Sequence, residues 1–218
     1  MDIPILIFVL VFSLVVHECA HAYAALRLGD DTALRLGRLT LNPLPHLDPV
    51  GSVLLPLLMA LLPGGMMIGW AKPVPVNTNR LGNPVRDHAL VAAAGPFSNL
   101  LLALAAAVLL GVVTGWGHSH GGGSGLQFLA RLFEYGIRLN VLLALFNLIP
   151  LPPLDGSWIL LAGLRGEAAA AYERLRPYGF LLVILLLNVG LGTWLGSAMR
   201  VVGQFYYRIV FQVGALIS

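Results

Sequence analysis

The sequence predicts an all-α polytopic membrane protein with about five to six membrane segments. It is expected to form one domain over residues 1–218, with a core at 3–165 and C-terminal helices at 178–218. Of the 218 residues, 58% are hydrophobic and 11% are charged, and the mean hydropathy is +0.84. A soluble core of this size cannot bury so much apolar surface. We therefore expect a lipid bilayer to surround the chain.

The apolar runs give the framework of the predicted fold. Four of them have the length of a membrane-spanning helix: residues 3–26, 89–113, 128–149 and 178–195. A further run, residues 50–68, contains two prolines and a Gly-Gly pair, so a re-entrant hairpin competes with a complete crossing. The last run, residues 201–217, carries Gln204, Arg208 and Gln212, which suits an interfacial amphipathic helix at least as well as a span.

The basic residues predict the orientation of the chain. If residues 50–68 enter the membrane and return, one face receives these basic residues: Arg27, Arg35, Arg38, Lys72, Arg80, Arg86, Arg165, Arg174 and Arg176. The loop at residues 117–125 then lies on the opposite face and contains no Lys or Arg. Because cytoplasmic loops collect basic residues, we favour the hairpin, with the amino terminus and this loop outside.

The remaining charges suggest no nucleic-acid partner. The net charge is +3, but the basic residues are dispersed between apolar runs and form no stripe. Arg131 and Arg138 lie three and four residues from Glu134. This spacing predicts a local ion-pair cluster near the outer end of that helix.

The end of the first apolar run carries a candidate metal motif. Residues 17–21 match the pattern H-E-x-x-H, which on a helix brings His17 and His21 onto one face, within reach of a single zinc ion. Glu18 lies beside them and can contact a zinc-bound water. Ionisable groups at membrane depth are costly and usually functional. The alternative is that these side chains only form hydrogen bonds with neighbouring helices at the end of a span.

A third zinc ligand is expected from Asp155. Residues 147–156 contain three prolines and end on Gly156, so they interrupt an apolar helix. Broken backbone at membrane depth is tolerated only where protein or a water-filled cavity satisfies it. Asp155 precedes Arg165 by ten residues, as His17 precedes Arg27, which predicts a comparable depth. Asp48 is the second candidate ligand, although its surroundings look more like a loop of turns.

These motifs together resemble the site-2 protease family of intramembrane zinc metallopeptidases. The resemblance rests on residues 17–21, 42–49, 95–99 and 147–156. It implies one zinc ion per chain held by His17, His21 and Asp155, with Glu18 as the general base. It also implies that Asn147 and Asn99 line the substrate site. No loop has room for a PDZ domain, so the chain looks like the minimal branch of the family.

Both asparagines have a structural alternative. Asn99 can serve helix–helix hydrogen bonding, with Gly95 allowing a close approach of the helices. Asn147 can cap the backbone of the proline-broken segment.

The resemblance implies hydrolysis of peptide bonds in transmembrane or membrane-proximal substrates by zinc-activated water. It implies a multi-pass protein of a prokaryotic plasma membrane, with its active site towards the cytoplasm. A helical substrate must be locally extended before it is cut, and residues 70–76 offer an edge beside which it can lie. Two other classes remain open. A membrane metal-binding or transport protein would not need Glu18, and an inactive scaffold would only bind transmembrane helices.

Overall fold

The computed structural model describes residues 2–54 and 72–218, and within these ranges the chain is helical and contains no β-strand. The predicted all-α class is therefore confirmed for the described part. Most of the predicted hairpin at 50–68 lies outside the described residues, apart from a π-helical turn at Pro49–Leu54.

The first helix, α1, spans Ile3–Arg27 and carries the H-E-x-x-H motif in its second half. Pro4 lies in its first turn, where the missing N–H costs no intrahelical hydrogen bond. The chain leaves α1 through Gly29, whose φ of 108° is accessible mainly to glycine. The short helix α2, Thr32–Arg35, follows at once.

Helix α3, Pro84–His120, is the central element and contacts at least four other α-helices of the described part. Asn83 caps it by accepting a hydrogen bond from the Arg86 N–H, and Pro84 occupies its first position. It runs antiparallel to α1, since Ser13 lies beside Asn99 and His21 lies beside Val91. This arrangement places the first half of α3 against the H-E-x-x-H motif.

Helix α4, Ser124–Asn147, returns along α3 after a short glycine turn. Arg138 donates to Glu134 at 2.6 Å, as predicted. Arg131 instead pairs with the carboxylate of Asp2 at 3.0 Å. Of the two predicted partners of Glu134, only Arg138 is therefore confirmed. The reason is that α1 and α4 lie side by side, which brings the amino terminus to the start of α4.

Short helices follow the proline-broken segment: α5 (Gly156–Gly163), α6 (Gly166–Glu173) and α7 (Gly179–Leu186). The predicted span at 178–195 is not one continuous helix. It continues from α7 into a π-helical stretch, Leu187–Leu191, and kinks at Gly190, whose φ is 135°. Helix α8, Gly192–Ile217, is then unbroken and packs against α3 and α4, so residues 201–217 belong to the helical bundle.

The core lies between α3, α4 and α8, and α3 contributes several small residues to it. Two α3 glycines allow α8 to approach closely: a Cβ on Gly111 would lie 2.7 Å from the Val213 Cβ, and one on Gly115 would lie 2.6 Å from the Gly214 oxygen. The buried core cluster consists of Ala103, Ala106, Ala107, Leu110, Ile137, Val141 and Tyr206.

Three helical stretches in the described residues are long and apolar enough to cross a membrane: Ile3–Arg27, Pro84–His120 and Gly166–Ile217. These are the expected properties of a membrane protein. The number of membrane segments stays a prediction.

Candidate metal centre

His17 and His21 lie one helical turn apart on the buried face of α1, with 4% and 7% of their surfaces exposed. Helix α3 faces them with Gly95. A Cβ at this position would lie 2.5 Å from two atoms of the His21 ring and 2.6 Å from the His17 ring. Non-bonded atoms do not approach a Cβ this closely, so the absence of a side chain at residue 95 makes room for the imidazoles.

Asp155 reaches the same point from the proline-broken segment, immediately before α5. Its Oδ2 lies 3.1 Å from the His17 Nε2, and its Oδ1 lies 3.4 Å from the His21 Nε2. The next residue, Gly156, packs so tightly that a Cβ would lie 2.3 Å from the Leu148 oxygen. The structure therefore brings together the three side chains that the sequence nominated as metal ligands, with their donor atoms within 4.8 Å of one another.

The second nitrogen of His21 fixes the tautomer of that ring. The His21 Nδ1 lies 2.7 Å from the backbone oxygen of Val91. A carbonyl oxygen can only accept, so Nδ1 carries the proton and donates it. The Nε2 atom of neutral His21 therefore presents a lone pair towards Asp155.

Asn99 fixes the tautomer of His17 in the same way. The Asn99 amide nitrogen donates to the Asn140 Oδ1 at 2.8 Å and faces the Ser13 carbonyl at 3.4 Å. Its amide oxygen is thereby directed at the His17 Nδ1, at 2.6 Å, and accepts the proton on that nitrogen. The His17 Nε2 also presents a lone pair to the centre.

The donor set at this centre fits a cation. The two Nε2 atoms are 3.0 Å apart, and the Asp155 carboxylate lies beside them. In the neutral tautomers all of these groups are acceptors, which repel one another unless a positive charge lies between them. Two imidazoles and one carboxylate also form a known ligand set of catalytic zinc, which leaves one position for water.

Glu18 points towards a different partner. Its Oε2 accepts a hydrogen bond from the Val74 N–H at 3.0 Å, and the residue is half-buried. The carboxylate thus lies between the metal centre's helix and the segment at residues 72–77, which has no helical structure.

Two buried charges hold this segment in place. Arg38 donates to the Lys72 oxygen at 2.6 Å and to the Pro73 oxygen at 3.3 Å. At the other end, the Asp30 carboxylate accepts from the Asn77 N–H at 2.6 Å. Neither Asp30 nor Arg38 was predicted from the sequence to belong to the site. Their only signal was that both are charged residues close after the end of α1.

The remaining candidates occupy different places. Asn99 is fully buried between helices, and its contacts match the alternative of helix–helix hydrogen bonding. Asn147 donates to the Leu143 oxygen of its own helix at 2.9 Å. Asp48 accepts from the N–H groups of the turn at Val50 and Gly51, and it is outside the cluster of His17, His21 and Asp155. The substrate-site roles of Asn99 and Asn147 stay predictions.

Comparison with known proteins identifies the family. A Bacillus subtilis protein named "Putative zinc metalloprotease YwhC" is 40% identical over 198 residues, which cover 88% of this chain and 83% of that protein. The chain belongs to the same family as YwhC. The family is thus one whose members are named as zinc metalloproteases, in agreement with the donor set of the centre.

Two more distant relatives carry the name "Putative zinc metalloprotease Rip2". The protein of Mycolicibacterium smegmatis is 36% identical over 185 residues, or 84% of this chain. That of Mycobacterium tuberculosis is 38% identical over 185 residues, or 80% of this chain. The matched regions span 66% and 63% of these two relatives, just under two thirds of their length. No family model and no solved structure matches the chain.

Proposed function

We propose that this protein is an intramembrane zinc metalloprotease of the site-2 protease type, of the branch whose loops have no room for an inserted PDZ domain. The observation that carries the proposal is the convergence of His17, His21 and Asp155 inside an apolar helical bundle, directly beside Glu18. The names of the relatives support the chemistry.

The chain's residues divide the work between binding and proton transfer. His17, His21 and Asp155 would hold one zinc ion per chain. When bound, zinc supplies Lewis acidity to a water molecule and to the scissile carbonyl. Glu18 takes a proton from the attacking water and returns it to the leaving amine. The Val74 N–H donates a hydrogen bond to the Glu18 carboxylate and so fixes the position of the proposed base.

The proposed substrates are transmembrane or membrane-proximal segments of other proteins. A helix hides its carbonyl groups in hydrogen bonds, so the bond to be cut has to be unwound first. Residues 72–77 lie beside Glu18, and two of them are prolines, which cannot join a helix interior. We propose that the unwound substrate lies alongside this segment.

The proposed location is the plasma membrane of a prokaryote, with the centre towards the cytoplasm. The pairing of Arg131 with Asp2 indicates that the amino terminus and the start of α4 share one end of the bundle. The end of α1, which carries the motif, lies at the other end, where the loops contain most of the basic residues.

The test uses the purified protein in detergent. Zinc is measured per chain in the wild type and in Glu18→Gln, and both proteins are incubated with a panel of single-span peptides, with and without a chelator. We expect one zinc per chain in both proteins, and chelator-sensitive cleavage by the wild type alone. Equal cleavage by Glu18→Gln would contradict the assignment of the base. Zinc without cleavage of any peptide would favour the metal-binding or scaffold alternative.

A further inference from the structure

A series of buried polar side chains from three helices is connected by hydrogen bonds and ends at His17. Ser13 on α1, Asn140 on α4 and Asn99 on α3 are 0%, 3% and 0% exposed. The Ser13 Oγ lies 2.9 Å from the Asn140 amide nitrogen, and the Asn140 oxygen lies 2.8 Å from the Asn99 amide nitrogen. The last contact is the one from Asn99 to the His17 Nδ1, at 2.6 Å.

We propose that Asn140 is a positioning residue of the metal centre, which acts on His17 through Asn99. Its task is to prevent the Asn99 amide from flipping. The inference deepens the proposed function and rests on it, because it concerns the metal affinity of the same centre.

One backbone carbonyl determines which atom donates and which accepts in each hydrogen bond between Asn140, Asn99 and His17. The Asn140 amide nitrogen donates to the Gly136 oxygen at 2.8 Å, and a carbonyl cannot be a donor. This contact directs the Asn140 oxygen at Asn99, and an oxygen there requires the Asn99 nitrogen as its partner. Asn99 must therefore present its own oxygen to His17.

Without Asn140, no strong contact would keep the Asn99 oxygen directed at His17. The other acceptor for the Asn99 nitrogen is the Ser13 carbonyl, at 3.4 Å, which is a long and weak contact. A flipped Asn99 would present its N–H to the His17 Nδ1. The proton of the ring would then move to Nε2, and a protonated Nε2 cannot bind a metal ion.

A purely structural role makes a different prediction. Hydrogen bonds between helices also hold membrane bundles together, and the loss of any of them would lower stability. If Asn140 served only stability, its removal would not change the affinity of the folded protein for zinc. If it acts through Asn99, its effect on zinc affinity must disappear once Asn99 is gone.

The experiment is a double-mutant cycle on zinc affinity, measured by chelator competition in detergent. Asn99→Ala is expected to lower the affinity about 10- to 100-fold, and Asn140→Ala about tenfold, as for other residues that orient metal ligands. In the Asn99→Ala background, Asn140→Ala should change it by less than about twofold. Tyr206→Phe is the matched control. It removes the part-buried hydrogen bond from Tyr206 to the Leu100 oxygen and should lower the thermal midpoint at unchanged zinc affinity.

The outcomes separate this inference from the proposed function. Unchanged zinc affinity in Asn140→Ala, or additive effects of the two substitutions, overturns the inference while the wild type still binds zinc and cleaves peptides. A wild type that binds no zinc overturns both. If Asn140→Ala does not fold, Asn140→Leu replaces it, because leucine keeps the side-chain volume and suits a membrane helix. The same tenfold loss is expected there, and its absence contradicts the inference.

Discussion

The Nε2 atoms of His17 and His21 lie 3.0 Å apart, with both Nδ1 atoms engaged by acceptors on α3. Two lone pairs at this distance are unfavourable without a cation between them. The arrangement depends on partners outside the H-E-x-x-H motif, because the Asn99 oxygen and the Val91 carbonyl fix which nitrogen carries the proton. The proposed metal site is thus a property of the helix pair α1 and α3, completed by Asp155.

A methyl group at residue 95 is expected to disrupt the centre. In Gly95→Ala the new Cβ would lie 2.5 Å from the His21 ring, so both imidazoles must turn away. Zinc affinity should fall by about 10- to 100-fold or more. Gly203→Ala is the control, since a Cβ there meets no atom within 4 Å. Chelator competition measures the zinc affinity of both variants. Equal affinities would show that the imidazoles do not need the space beside Gly95.

Removal of the Arg38 side chain is expected to slow peptide cleavage without loss of zinc. Arg38 holds the segment whose Val74 N–H contacts Glu18, so in Arg38→Ala the carboxylate loses its fixed position. We expect kcat to fall about 10- to 100-fold, the usual effect of a displaced catalytic group. Arg35→Ala removes only an exposed ion pair with Asp31 and should have little effect. A loss of zinc in Arg38→Ala would contradict this division of roles.

The stability of the loop after α1 is expected to depend on acid pH through Asp30. Burial opposes the charge of this carboxylate, but hydrogen bonds from Thr32 and Asn77 and the charge of Arg80 outweigh it, so the pKa of Asp30 is lowered. A lowered pKa in the folded state stabilises the protein above the unfolded-state pKa of about 3.9 and loses this contribution as pH falls through the folded-state pKa.

Asp30→Asn tests this dependence. At pH 7 the variant should unfold at a lower temperature than the wild type, and the difference should shrink as pH falls below about 4. Thermal unfolding of the metal-free proteins in detergent provides the measurement. A difference in midpoint that stays constant between pH 7 and pH 3 would show that the ionisation of Asp30 does not contribute.

The sequence predicted those parts of the site that follow from spacing along one helix. His17 and His21 share a face because they are four residues apart, and Asp155 stood out because prolines break the helix before it. Asn140 was missed even though a buried amide in an apolar helix is a signal of hydrogen bonding. Its partners, Ser13 and Asn99, belong to other helices, and their pairing depends on how the helices pack.

The fold shows the same limit. The positions of α1, α3 and α4 followed from apolar runs of sufficient length. The break at Gly190 was missed because the apolar run continues through it, and hydropathy contains no information about φ. Arg131 was expected to pair with Glu134 at helical spacing, but Asp2 is the partner in the folded bundle. Contacts between distant residues compete with local ones, and only the packed structure decides between them.

The most direct test of the proposed centre is X-ray absorption at the zinc edge of the purified protein. The proposed function predicts one zinc per chain, coordinated by two imidazole nitrogens and at least one oxygen. In Asp155→Ala the bound zinc should be lost or reduced to a weak fraction, because a ligand is missing. Zinc bound with unchanged affinity and unchanged coordination in Asp155→Ala would contradict the account.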